Sequence, residues 1–286
     1  MATGMQFEMQ RSSAFNISGF RVQVRGLDEP CAEIVRDVWR LFPDDGQGAA
    51  TDVLDVAVHA AGEELRGRSI SERPLARQID GDSISFVSAE GEIQVAPDGS
   101  AEARVGPGSA GMRAFSLINL LLPALAWRLP RHGALMLHSG AVLLDGRGWV
   151  LIGQAGAGKS TFVRFAQKGG ATVVSEDLNL LTFEGDSCCL AGAPFRTRNF
   201  SGPGPGRWPL AALLLPLHAK EPALTELPRL VVSAQFQANL PFVGDCWMQL
   251  PGAAELLERI DRLTARRLSY AADDSFVPLL RAFVAD

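Results

Sequence analysis

Little in this 286-residue sequence points to a membrane, a zinc ion or a nucleic acid. No run approaches the roughly twenty apolar residues that cross a bilayer; the longest apolar segment, Phe115 to Trp127, is interrupted by Ser116, Asn119 and Pro123 and is too short to span. The first thirty residues carry polar and charged side chains throughout, with no basic stretch followed by an apolar core as in a secretory signal. A cytoplasmic protein is expected. The four cysteines, Cys31, Cys188, Cys189 and Cys246, show neither C-x-x-C spacing nor a nearby histidine pair, which argues against zinc. Adjacent Cys188 and Cys189 are expected on opposite faces of one strand, as small hydrophobes rather than a redox pair. Lys and Arg number 27 against 32 Asp and Glu, a net charge of −5, so no basic field favours nucleic acid or an anionic membrane surface. What the chain has in quantity is apolar residues, 47%, enough for the core of one large domain or two modest ones.

The chain is organised around Gly153-Gln154-Ala155-Gly156-Ala157-Gly158-Lys159-Ser160-Thr161. The apolar run Trp149-Val150-Leu151-Ile152 precedes it and Phe162-Val163-Arg164-Phe165-Ala166 follows, giving strand, glycine-rich turn and helix. In that setting glycines let backbone N–H groups converge on a polyphosphate, Lys159 adds a mobile positive charge, Ser160 offers a hydroxyl to Mg²⁺, and the helix N-terminus favours the anion. A nucleoside triphosphate is the expected ligand.

Before this motif, Phe20 to Arg25, Asp52 to His59, Ser83 to Val87, Glu92 to Val95 and Ala101 to Val105 read as strands, and Cys31 to Leu41 as an amphipathic helix burying Ile34, Val35, Val38 and Leu41. This predicts a small, mostly antiparallel α+β module without a chemical motif; His59 reads as a surface or satisfied histidine. Gly106-Pro107-Gly108-Ser109-Ala110-Gly111 is a linker-like break before a helix Met112 to Arg128. The division expected is residues 1–110 and 111–286. Then Ala134 to Leu144 forms a hairpin with the strand feeding the loop, around Asp145-Gly146-Arg147-Gly148. A helix Ser160 to Gln167 ends at Gly169-Gly170 and a strand Thr172 to Ser175 follows. Beyond lie a hairpin around Gly185-Asp186, an irregular Ser201 to Arg207 loop, strands Leu210 to Leu217, Ala223 to Leu227 and Arg267 to Tyr270, and helices Arg229 to Asn239, Pro251 to Leu263 and Phe276 to Val284. Arg259, Arg262, Arg266 and Arg267 read as a solvated basic face.

Phosphoryl transfer also needs a group for the acceptor proton and one to complete the magnesium shell. Glu176-Asp177 ends the strand after the loop's helix, where neighbouring strand ends face one crevice. Adjacent residues there point apart, so one serves as base and the other holds Mg²⁺ or supports the site from behind. His138, alone, would be a core histidine.

Together, His138-Ser139-Gly140-Ala141-Val142, Asp145-Gly146-Arg147-Gly148, the phosphate loop and Val174-Ser175-Glu176-Asp177 resemble the catalytic domain of the bacterial HPr kinase/phosphorylases and the smaller HPr-kinase-related proteins. The resemblance covers residues 132 to 200 with specific motifs and continues weakly to the end. It implies an α/β fold, a PEP-carboxykinase-like P-loop kinase core behind the N-terminal α+β module, that transfers phosphate from ATP with Mg²⁺ to a serine hydroxyl. It implies that Lys159 contacts the phosphates, Ser160 binds Mg²⁺, Glu176 is the base where the bifunctional enzymes have aspartate, Asp177 is the second acid and His138 shapes the site. Where the bifunctional enzymes carry Glu-Ile-Arg-Gly this chain reads Gly192-Ala193-Pro194-Phe195-Arg196-Thr197-Arg198. Arg196 or Arg198 can clamp a transferring phosphate, but the acidic ligand has no replacement, which speaks against phosphorolysis and against HPr as the acceptor.

Three functions are consistent with these residues. The leading one is a kinase for a serine or threonine of a protein or peptide, with a substrate encoded nearby as one candidate; the family's habit of assembling adds a homo-oligomer as an expectation. The second is a kinase for a small hydroxylated metabolite such as free serine, and the third a nucleotide-dependent binding or scaffold protein without turnover.

Overall fold

At Asp145 and Gly146 both backbone φ angles are positive, 51° and 78°, the requirement of a two-residue turn whose twist matches the strands it joins. The chain therefore folds straight back, and Ala134–Leu144 pairs antiparallel with Arg147–Ile152. The computed structural model describes residues 11–46, 50–61, 76–195, 202–250 and 252–283, which hold six α-helices and fifteen strands in two sheets, a mixed α/β protein. It divides into two compact units, Met1–Arg128 and Leu129–Asp286.

In the first unit the strands are β1 (Arg11–Ile17), β2 (Phe20–Leu27), β3 (Thr51–Ala60), β4 (Ala76–Asp80), β5 (Ser83–Val87), β6 (Gly91–Val95) and β7 (Ser100–Val105), in the order β1-β2-β3-β7-β6-β5-β4. The sheet is mostly antiparallel, as expected, with β1/β2, β4/β5, β5/β6 and β6/β7 all antiparallel; the exceptions are β2, which pairs parallel with β3, and β3, which pairs parallel with β7. The parallel step from β2 to β3 is made by α1 (Glu29–Val38), capped by the Asp28 side chain, which accepts from the Cys31 N–H at 3.0 Å. Helix α1 starts and stops earlier than its periodicity suggests and buries Cys31, Ala32 and Val35, leaving Leu41 exposed. Helix α2 (Ala110–Arg128) packs Leu117, Leu121 and Leu125 into the same core, so it belongs with the strands before it rather than with the segment after the glycine-rich break. Arg128, buried at its end, donates to the carbonyls of Val53 and Pro97. By length and composition the helical stretch Ala110–His132 could cross a membrane, which corrects the expectation that this segment is too short; half of its most apolar window is buried inside the protein, as in a core helix.

The second unit is built on a forked sheet. Its strands are β8 (Ala134–Leu144), β9 (Arg147–Ile152), β10 (Thr172–Ser175), β11 (Leu178–Glu184), β12 (Ser187–Ala191), β13 (Arg207–His218), β14 (Ala223–Glu226) and β15 (Ala265–Tyr270). The first half of β8, up to His138, pairs with β11; from Ser139 it pairs with β9, and over Ala141 to Leu143 also with β10. Strand β13 forks in the same way, pairing with β12 up to Pro209 and then parallel with β9 and β15. Helices α3 (Lys159–Lys168), α4 (Arg229–Ala238), α5 (Ala253–Ile260) and α6 (Phe276–Ala282) complete the unit. Against β9, β13 and β15 pack Phe162, Val163 and Ala166 of α3 and Phe276, Val277 and Leu280 of α6. Cys188 and Cys189 are adjacent on β12 and so face opposite sides of it, both partly exposed, with burial raising the pKa of both thiols. The arginines of the expected basic face are partly paired, Arg259 with Glu255 and Arg262 with Asp186. Pro251 lies outside the described residues, and α5 begins at Ala253.

Phe162 is fully buried and stacks on Phe276 with ring centroids 5.3 Å apart. Phe162→Ala is expected to destabilise the protein by about 3–5 kcal/mol, read as a shift of the urea midpoint without a change of slope.

Candidate nucleotide site

Strand β8 runs antiparallel to both β9 and β10. The loop after β9 and the acidic pair after β10 therefore leave the sheet at one edge, beside the point where β8 changes partners. Gly153 is buried, Gln154 to Gly156 form an exposed tip, and Lys159 is buried again at the first position of α3. No side chain caps this helix, so its first N–H groups are left for an anion. Gly158, the N-cap, sits at φ 104°, and a Cβ there would lie 2.7 Å from the Tyr270 hydroxyl. That hydroxyl donates to the Gly158 carbonyl at 3.1 Å. Burial pushes the Tyr270 pKa up to about 12, which keeps it a neutral donor.

Lys159 is only 7% exposed and turns its ammonium onto the loop itself, donating to the carbonyls of Gly153 at 2.6 Å and Gln154 at 3.1 Å. Burial lowers its pKa and Asp177 opposes the shift. His138 stands at the fork of β8, its Nε2 3.3 Å from Oδ1 of Asp177. Burial holds the His138 pKa below the ordinary value, the Lys159 charge lowers it further, and Asp177 pulls it back up. The structure thus brings together Lys159, His138 and Asp177. Glu176 is half-buried and makes no hydrogen bond or ion pair among the described residues; Ser160 is exposed on the first turn of α3. Arg196 and Arg198 lie outside the described residues.

The separation of the two acids has a local cause. The β10–β8 register shifts between Val173 and Ser175, and such a bulge re-aims the side chains that follow it. The turn is then fixed by Ser175, whose hydroxyl accepts from the Asp177 N–H at 3.2 Å and donates to the Phe195 carbonyl at 3.3 Å. The Ser139 N–H donates to the Asp177 carbonyl at 2.8 Å. Asn179, buried, donates from Nδ2 to the carbonyl and hydroxyl oxygens of Ser139, tying the acidic turn to the strand of His138. Sequence patterning gives no sign of Asn179, Ser175 or Tyr270, since nothing local marks their partners.

A magnesium ion is commonly held by one or two protein ligands together with phosphates and waters. Ser160 and Asp177 are oxygen donors of that kind, and no cluster of three or more His, Cys, Asp or Glu able to hold a metal occurs among the described residues.

No protein-family model matches the sequence, and no curated protein matches it. Among solved structures the chain is similar to the Hpr(Ser) kinase/phosphatase from Coxiella burnetii, with 8% identity and a TM-score of 0.28 over 51% of this chain and 91% of that one.

Two predictions follow from this geometry. The NMR titration of His138 is expected below the ordinary histidine value of about 6.5; Lys159→Met moves the midpoint up and Asp177→Asn moves it down. Since the unfolded chain takes up this proton at the higher pH, the contribution of His138 to stability is complete above about pH 6.5 and is lost as pH falls towards the folded value. Separately, Gly158→Ala should lower the unfolding temperature, and adding Tyr270→Phe should recover part of the loss. The hydroxyl clash is then relieved, while the left-handed backbone still costs about 1–2 kcal/mol.

Proposed function

We propose that the protein is an ATP-dependent kinase that transfers the γ-phosphate to a serine or threonine hydroxyl of a protein or peptide. Under this reading Leu129–Asp286 is a PEP-carboxykinase-like P-loop core. The observation that carries it is the meeting of Lys159, Asp177 and His138 at the edge of the sheet where the glycine loop enters α3. The choice of a hydroxyl acceptor on a protein or peptide comes from the resemblance of the His138 hairpin, phosphate loop and acidic pair to the HPr-kinase-related family.

ATP supplies the phosphoryl group and ADP leaves as its bond to the γ-phosphorus breaks. Lys159 exchanges its two loop carbonyls for phosphate oxygens, so the charge already held at the loop serves the developing charge of transfer. Ser160 and Asp177 would hold Mg²⁺, which would screen the charge of the phosphates. Glu176, untied by any described partner, takes the proton of the acceptor hydroxyl as that oxygen bonds to phosphorus. His138, kept neutral, donates to Asp177 and fixes where its carboxylate points.

A nucleotide-dependent binding protein is the second reading, favoured by the lack of the acidic residue that follows in the bifunctional enzymes. Labelled ATP and Mg²⁺ with either a peptide pool or a metabolite pool separate the possibilities. Lys159→Ala is expected to cut transfer by about 10²–10³. Glu176→Gln should cut it by about 10²–10⁴ with nucleotide affinity held within a few-fold. Transfer to small molecules alone would sink the peptide acceptor, binding without transfer to any acceptor would favour the second reading, and transfer unchanged in both variants would remove this site from the chemistry.

A further inference from the structure

Asn239 follows the last turn of α4, far from the glycine loop in sequence, yet its side chain ends on that loop. It is 3% exposed. Its Nδ2 donates to the Gln235 carbonyl at 2.7 Å, and its Oδ1 accepts from the N–H of Gly153 at 3.2 Å. Only one orientation of the amide satisfies both partners: reversed, it would set N–H against N–H and oxygen against oxygen. Its backbone carbonyl accepts from the N–H of His138 at 2.8 Å. Gly153 in turn offers its own carbonyl to Lys159 at 2.6 Å. Closing the helix does not call for this side chain, since Asn239 has an ordinary φ of −109° and its N–H already returns to the Phe236 carbonyl.

We infer that Asn239 is a positioning residue of the nucleotide site: its amide fixes the Ile152–Gly153 peptide, and with it the Gly153 Cα from which the carbonyl facing Lys159 leaves, while its own carbonyl holds β8 at His138 beside it. The inference rests on the nucleotide-binding reading above. Without the amide, the Gly153 N–H is a buried donor lacking its acceptor, and the peptide turns away to find another. Lys159 then loses the shorter of the two carbonyl contacts that keep it at the mouth of the loop. Asn239→Asp keeps an acceptor for Gly153 but sets a carboxylate oxygen against the Gln235 carbonyl, so its effect falls between those of the native residue and alanine.

The test pairs two measurements on the full chain: titration with a fluorescent ATP analogue and Mg²⁺, and hydrogen exchange at the Gly153 amide. Asn239→Ala should weaken nucleotide binding about tenfold and speed Gly153 exchange by a similar factor, with the amides of Trp149 to Leu151 exchanging as before. A residue that only supports folding would lower the folded fraction and leave the affinity of that fraction alone. Nucleotide affinity within twofold of the native protein would overturn the inference, whatever the Gly153 exchange; if the alanine variant does not fold, Asn239→Asp decides by the same reading. Should the native chain bind no nucleotide, the kinase reading and the role claimed for Asn239 in binding fall together. Should it bind while Asn239→Ala binds equally well, only the inference falls.

Discussion

A buried ammonium must find oxygen, and in this protein it finds it in the backbone of its own glycine-rich loop. That requirement sets most of the site. It draws the carbonyls of Gly153 and Gln154 onto Lys159 and closes the loop on itself. It lays a positive charge beside His138, adding to the burial that lowers that imidazole's pKa, and places Asp177 where its carboxylate opposes the shift at both neighbours.

Support for this arrangement comes from a distance in sequence. Tyr270 fills the space that only a glycine at 158 leaves free, and Asn179 ties the acidic turn to Ser139. These contacts explain why a loop with an exposed tip has buried ends. Its flanks are held by Tyr270 of β15 and by Asn239 after α4, and the segment from Gln154 to Gly156 is its exposed tip.

The sequence carried the parts of this picture that are local. Spacing of apolar residues marks β9 and α3, and the Asp-Gly pair marks the hairpin, because both depend on neighbours within a few residues. Pairing does not: alternation in β2, β3 and β7 tells which residues face the core but not that these strands run parallel. The glycine-rich stretch before α2 reads as a boundary, yet Leu117 and Leu121 send that helix back onto strands already made. In the site, position places the acidic pair at a strand end and the family resemblance supplies its roles, but the bulge beside Ser175, after which Asp177 rather than Glu176 meets His138, leaves no mark in the sequence. Asn179, Asn239 and Tyr270 are polar residues whose partners lie 40, 86 and 112 positions away, beyond the reach of any periodicity.

The fork in β8 also limits how this protein can change length. His138 is registered against Leu178 in one branch, and Ser139, the next residue, against Ile152 in the other. A residue inserted on either side would turn the rest of the strand over, exchanging inward and outward side chains in one branch while the other kept its place. Both branches therefore measure from the same point, and β13 repeats the constraint across the sheet. Additions and deletions are left to the turns at Asp145-Gly146 and Gly185-Asp186, so the edge that bears the phosphate loop is the part of the second unit with the least freedom to drift.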